Sequence, residues 1–277
     1  MTGLGVMQGR LLPKYKGLYQ SFPIGYWQDE FPIAKKLGLD CIEFIIDDLS
    51  YPENPLMTEE GVRQIQHIVA ETGVQVKTIC ADYFMEHPFH DVSQKDFDHS
   101  MTVLGVLLEN GRKLGVTDIV IPCVDKSSLL NKKQHIPGFI VAMKHAGKLA
   151  QASGINLSLE TDLGPQDFRD LLLKIDSPRL KVNYDIGNSA ALGYLESEEI
   201  AAYGEWISDV HIKDRVLGGG SVPVGTGDAK IENALAELKK AGYSGVFIMQ
   251  VYRDDEGVEI FKFQKEKILP ILKKYFP

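Results

Sequence analysis

Short apolar runs alternate with longer amphipathic stretches along the whole chain. Eight runs rich in Val, Ile, Leu and Phe, at residues 3–8, 41–46, 75–80, 118–123, 156–160, 181–185, 209–212 and 245–250, read as strands. Between them, residues 59–71, 97–114, 139–152, 231–241 and 258–275 carry apolar side chains at spacings of three and four and read as helices. Gly38, Gly73, Gly115, Gly154 and Gly242 stand where a helical pattern stops, the position that favours a left-handed residue, and Asp176-Ser177-Pro178 gives an equivalent stop before the sixth strand. Runs such as Asp118-Ile119-Val120-Ile121-Pro122 are apolar at nearly every position, as in parallel strands covered on both faces. Eight uninterrupted β–α alternations predict an α/β fold, a single (β/α)8 TIM barrel domain spanning residues 1–277. No GxGxxG follows the first strand, which disfavours a dinucleotide fold. Longer loops at 10–27, 82–91 and 213–228 follow the first, third and seventh strands, on the side where such a barrel builds its site.

Composition narrows the function classes. The chain has 277 residues, 44% of them hydrophobic, enough for one large core. Its formal net charge of −8 argues against nucleic acid as a partner, since phosphate neutralisation needs a basic surface. Three scattered cysteines, Cys41, Cys80 and Cys123, give no disulfide framework and suit a reducing compartment. Residues 1–10 lack the basic start and long apolar stretch of a secretion signal, and no apolar run approaches the roughly 18–20 residues that span a bilayer. A soluble, cytoplasmic protein with no membrane partner is expected.

The strand ends carry the candidate chemistry. The fifth run ends at Glu160, the sixth at Asp185, the seventh reaches His211 and the eighth ends at Gln250. Any one of these alone reads best as a helix cap or a salt-bridge partner. Together, four successive units deliver three oxygen donors and an imidazole to one rim. Converging carboxylates repel and are poorly solvated, and a divalent cation resolves that conflict.

Ser158-Leu159-Glu160, Asp185-Ile186-Gly187-Asn188, Val210-His211-Ile212-Lys213-Asp214 and Gly225-Thr226-Gly227-Asp228 resemble motifs of the xylose-isomerase-like TIM barrel superfamily. The opening Met7-Gln8-Gly9-Arg10-Leu11 and Cys80-Ala81-Asp82-Tyr83-Phe84 resemble its sugar phosphate isomerase/epimerase branch. The resemblance covers almost the whole chain. It implies a metal-dependent isomerase or epimerase acting on a small sugar or sugar phosphate through an enediolate. It implies metal ligation by Glu160, Asp185 and His211, with Gln250 where the family usually places a glutamate. A glutamine oxygen still coordinates a cation but accepts no proton, so the mirror-image base pair of the family's epimerases is missing. Either a one-base aldose–ketose isomerisation follows, or another carboxylate serves. Glu43 is the first candidate and Asp82 the second, each open to the alternative of plain hydrogen bonding. Asn188 replaces a histidine common in the family and keeps only hydrogen-bonding capacity.

These assignments make Glu160 the expected general base, with Glu43 and Lys213 as further catalytic candidates and Asn188, Arg215, Arg253, Asp82 and Arg10 as substrate contacts. Surface salt bridges are an equally ordinary use for the cationic members of that set. Trp27, Tyr83, Phe84 and Tyr252 are candidate pocket walls, and His87 and His90 candidate substrate neighbours. Oxygen donors with one imidazole point to Mn²⁺ first, with Mg²⁺, Co²⁺ or Zn²⁺ as further ions the set accommodates. Dehydration of a cyclitol or keto-sugar is the closest rival, followed by an endonuclease IV-like nuclease and a non-catalytic sugar-binding barrel. Family barrels often form homo-oligomers, an expectation from resemblance alone.

Overall fold

The computed structural model describes residues 3–277. Eight parallel strands close in chain order into one barrel: β1 (Leu4–Met7), β2 (Cys41–Ile45), β3 (Gln75–Cys80), β4 (Asp118–Cys123), β5 (Asn156–Thr161), β6 (Leu180–Asp185), β7 (Ile207–Ile212) and β8 (Val246–Met249). Closure comes from β1 pairing with β8, Gly5 against Ile248. The helices are α1 (Glu30–Lys36), α2 (Glu59–Thr72), α3 (Tyr83–Glu86), α4 (Gln94–Leu114), α5 (Ile136–Ser153), α6 (Pro165–Ile175), α7 (Ile186–Leu192), α8 (Glu196–Tyr203), α9 (Ile231–Lys240) and α10 (Val258–Tyr275). Every residue of β2 and β4 is buried, as their unbroken apolar runs predict.

The expected helix stops occur. Gly73, Gly115 and Gly154 take left-handed conformations at the ends of α2, α4 and α5, and Asp176 does so after α6. The differences are local. α4 starts three residues before the predicted point because Ser93 caps it, accepting from the Asp96 amide. β8 ends at Met249, so Gln250 is the first residue beyond its strand rather than the last within it. The short α1, α3, α7 and α8 fall below the length at which periodicity separates a helix from a loop, while the 11-residue α6, begun by Pro165, is a further helix that the sequence reading does not single out. Among the described residues no helix is long and apolar enough to cross a membrane. All three cysteines are free and buried.

Two devices shape the rim over β5 to β8. Gly187 opens α7 with no room for a side chain, since a Cβ there would lie 2.8 Å from Lys213 Cγ. Asp214, directly after β7, accepts from the amides of Gly225, Gly227 and Ala229 at 2.8, 3.0 and 3.1 Å. One carboxylate thereby folds the Gly225–Asp228 segment back onto the strand end and keeps Lys213 and Arg215 over the barrel.

Candidate metal and sugar site

At the C-terminal mouth of the barrel is a cavity of about 510 Å³. Arg10, Gln20, Asp82, Glu160, Asn188, Lys213, Arg215 and Gln250 contribute to its lining. Asp185 and His211 stand below this layer, side by side in register on β6 and β7.

The fifth, sixth and seventh strand ends converge. Ligand atoms of Glu160, Asp185 and His211 all lie within 4.8 Å of one another. His211 Nδ1 is 3.5 Å from Glu160 Oε2 and 3.8 Å from Asp185 Oδ2. Asp185 serves two purposes at once. Its Oδ1 caps α7 by accepting from the Asn188 amide at 2.8 Å, while Oδ2 faces inward, 2.6 Å from Lys213 Nζ, with no well-directed hydrogen bond. Both Glu160 oxygens accept from amides, Oε1 from Asn188 at 2.6 Å and Oε2 from Asn183 at 2.7 Å. Arg215 in turn donates to Asn188 Oδ1 at 2.6 Å and fixes that amide's orientation.

Below, Glu43 Oε1 lies 2.7 Å from His211 Nε2, and Glu43 Oε2 accepts from Thr78 at 2.6 Å. A carboxylate on Nε2 keeps that nitrogen protonated and leaves Nδ1 pointing at Glu160 and Asp185. The second layer also holds Asp209, whose ligand atom clusters with those of Glu43 and His211.

Burial sets the electrostatics. It pushes the Glu160 carboxyl up to about 7, reinforced by Asp185 and opposed by His211 and Lys213. Burial also works to raise Asp185, but Lys213 and His211 outweigh it and hold Asp185 well below the carboxylate range. Burial would lower His211, yet Glu43, Asp185 and Glu160 raise it well above its ordinary value. Burial and Glu43 drive Asp209 well above its ordinary value. The upper cluster therefore holds an inward acceptor without a directed donor, a carboxylate strained by its neighbour and a correctly turned imidazole. A divalent cation with oxygen and imidazole preference fits this donor set.

Of the residues singled out in the sequence, Arg10, Asp82, Glu160, Asn188, Lys213, Arg215 and Gln250 meet at the cavity. Lys213 Nζ bridges Asp185 and the Gln250 amide oxygen, the latter at 2.8 Å. Two residues are placed elsewhere. Glu43 is fully buried behind His211 and does not line the cavity. Arg253 is 2% exposed, with Nη2 donating to Leu12 O at 2.6 Å, and it ties the β1 loop to the end of β8. Trp27 packs on Phe22, Phe31 and Phe44, and Tyr83 and Phe84 are core residues, so the cavity's aromatic and thioether contacts come from Tyr19 and Met85 instead. His87 pairs with Asp48 at 2.7 Å, and neither it nor His90 reaches the cavity.

Asn183, Asp209 and Gln20 also contact the site's side chains, and the sequence reading does not single them out. Asn183 and Asp209 stand two residues before Asp185 and His211, and strand side chains repeat every two residues, so this parity was available as a signal. Gln20 lies in an irregular loop with no periodicity to mark it. It accepts from Arg10 at 2.8 Å and from Gln250 at 3.0 Å and donates to Asp82 at 2.7 Å.

Comparison with known proteins agrees with this architecture. A family model described as xylose isomerase-like TIM barrel matches residues 31–269. The L-ribulose-5-phosphate 3-epimerase UlaE of Escherichia coli is 23% identical over 260 residues, covering 89% of this chain and 91% of that one. Among solved structures, the IOLI protein with a bound zinc atom superposes with a TM-score of 0.78 at 18% identity, covering 99% of each chain. The D-psicose 3-epimerase of Clostridium cellulolyticum H10, solved with D-tagatose, gives a TM-score of 0.75 at 14% identity, also covering 99% of each chain.

Proposed function

The chain belongs to the xylose isomerase-like TIM barrel family, and from that premise we propose that it is a metal-dependent epimerase of a small ketose or ketose phosphate. The observation that carries this reading is the convergence of Glu160, Asp185 and His211 within 4.8 Å at the base of a polar cavity of about 510 Å³. Relatives that epimerise sugars, one on a phosphorylated and one on a free ketose by name, support the reaction class.

Glu160, Asp185 and His211 would hold the ion, with the Gln250 amide oxygen as a fourth donor group at the same rim. When bound, a divalent ion supplies a Lewis acid that stabilises oxyanion charge next to the reacting carbon. Glu160 removes a carbon-bound proton, and its raised affinity for protons suits that task near neutral pH. Asn183 and Asn188 hold both Glu160 oxygens in place. Lys213 offers positive charge to the developing enediolate. Arg215 and Arg10 position the Asn188 and Gln20 amides against the substrate hydroxyls. Mn²⁺ remains the first ion to test, with Mg²⁺, Co²⁺ and Zn²⁺ beside it.

The test is metal content by mass spectrometry after loading, followed by NMR in D₂O with L-ribulose 5-phosphate, D-psicose and D-tagatose. The expected result is one bound ion per chain and deuterium uptake at one carbon, abolished in Glu160→Gln. A metal-loaded protein that exchanges no hydrogen of any ketose or ketose phosphate would sink the reading.

A further inference from the structure

Inverting a carbon centre requires proton removal on one face and delivery on the other. Glu160 serves one face under the epimerase reading, on which the following inference rests. Gln250, at the end of β8, is an amide and transfers no proton, and the family resemblance places a glutamate there. The cavity wall has to supply another group.

Position and partners eliminate most of the candidates. Glu43 is fully buried, bonded to Thr78 and His211, and cut off from the cavity. Asp162 follows Glu160 by two residues on the same chain segment and is held by Ser128 Oγ and the Leu130 amide. Asp125 is solvent-exposed on the loop after β4. Lys213 is engaged by Asp185 and Gln250. Asp82 shares with Asp125, Asp162 and Lys213 a place in the cavity wall. It is 8% exposed, stands just after β3 and accepts from Cys80 Sγ at 3.2 Å, but differs from them in its link to Gln250. The Gln20 side chain donates from Nε2 to Asp82 Oδ2 at 2.7 Å and accepts at Oε1 from Gln250 Nε2 at 3.0 Å. One amide thus spans the space between Asp82 and Gln250, and Arg10 locks it by donating to the same Oε1 at 2.8 Å. The carboxyl group missing from the end of β8 reappears one side chain away, at the end of β3.

We propose that Asp82 is the second acid–base residue, exchanging a proton with the substrate carbon on the face opposite Glu160, so that epimerisation proceeds without a carboxylate at position 250. In one direction the Glu160 carboxylate takes the proton from carbon, and the C–H electron pair becomes the enediolate double bond as the carbonyl oxygen gains charge. The Asp82 carboxylic acid then gives its proton to the opposite face of that carbon, and the carbonyl re-forms. Glu160 ends protonated and Asp82 ionised, and both return to their starting states by exchange with water. The reverse reaction swaps the roles. Burial raises Asp82 against the opposing bonds from Gln20 and Cys80, which favours the protonated form this step uses.

The test follows hydrogen in D₂O with the Mn²⁺-loaded protein and a panel of ketopentoses, ketohexoses and their terminal phosphates. Wild type is expected to invert one carbon, with solvent deuterium in the epimer and none of the substrate's own hydrogen returned to it. Asp82→Asn keeps the shape and the Gln20 bond, so it should still exchange the substrate hydrogen through Glu160 while inversion falls by about 10²–10⁴-fold. Glu160→Gln should lose both. Unchanged inversion in Asp82→Asn overturns the assignment, as does loss of exchange together with inversion in a folded variant. Internal return of substrate hydrogen into the epimer, measured on wild type and so independent of any variant's folding, shows a single shared base and also overturns it. Exchange without inversion in wild type removes Asp82 but leaves enolisation standing. Absence of exchange across the whole panel removes the epimerase reading and Asp82 with it.

Discussion

Two acid clusters share one histidine. Above His211, Glu160 lines the cavity with Asp185 beneath it; below the imidazole, Glu43 and Asp209 are sealed, each fully buried. Residue types and ligand-atom spacing are alike, yet the clusters are chemically opposite. In the lower one, Glu43 takes bonds from Thr78 and His211, and burial and Glu43 raise Asp209 well above its ordinary value. In the upper one, Asp185 Oδ2 points inward without a directed donor and Glu160 is held up by burial and by Asp185. Asp209 Oδ2 is as free of a directed donor as Asp185 Oδ2, so access to the cavity, more than the count of acids or of free acceptors, separates a candidate metal site from a brace.

The largest expected effect tests the upper cluster. Glu160→Gln should cut ketose hydrogen exchange by about 10²–10⁴-fold with the fold intact, as measured by NMR and thermal unfolding. Normal exchange in that variant would show that the cavity-facing cluster does no chemistry. Next, Glu43→Gln should weaken metal affinity by about 10–100-fold without abolishing it, because the imidazole loses its orienting partner and keeps its ligand nitrogen. Complete loss of metal in Glu43→Gln would mean that the lower cluster is the true ligand set and would invert the comparison.

Metal titration at pH 7 should release protons, because His211 is raised well above its ordinary range and Glu160 sits at about 7 in the metal-free chain. Calorimetry in two buffers of different ionisation enthalpy reads this, and a buffer-independent heat would contradict the assignment of these two as ligands. Asp209→Asn, which keeps the shape of a side chain without a hydrogen bond to His211, should change metal affinity less than Glu43→Gln does.

The smallest effect concerns sealed carboxyls away from the site. Glu199 accepts from Tyr184, Ser189 and Tyr203, yet burial raises it to about 7. Its folded value lies above the unfolded one, so its contribution to stability is complete below about 4.5 and is lost as pH rises through about 7. The melting temperature should therefore fall as pH rises from about 4.5 to about 7 and level off above that, and Glu199→Gln should flatten that slope by on the order of 2 °C. An unchanged slope would place the titrating group elsewhere, Glu30 and Glu160 being the other buried carboxyls raised to about 7.

The chain's pattern alone determined the barrel. Eight apolar runs with glycine stops between amphipathic stretches admit little else, because parallel strands need covered faces and crossover helices of limited length. The strand-end positions of Glu160, Asp185 and His211 were legible for the same reason, since a barrel brings successive strand ends to one rim. Tertiary structure decided which acids meet the cavity. Glu43 and Asp82 look alike from the sequence, each polar and near a strand end, but Glu43 lies within β2 and is sealed behind His211, while Asp82 stands past β3 at the cavity wall. Only the folded chain brings Gln20 from an irregular loop into the space between Asp82 and Gln250. Hydrophobic periodicity records which face of an element is buried. It carries no record of which polar groups, distant in sequence, share a hydrogen bond once that burial is complete.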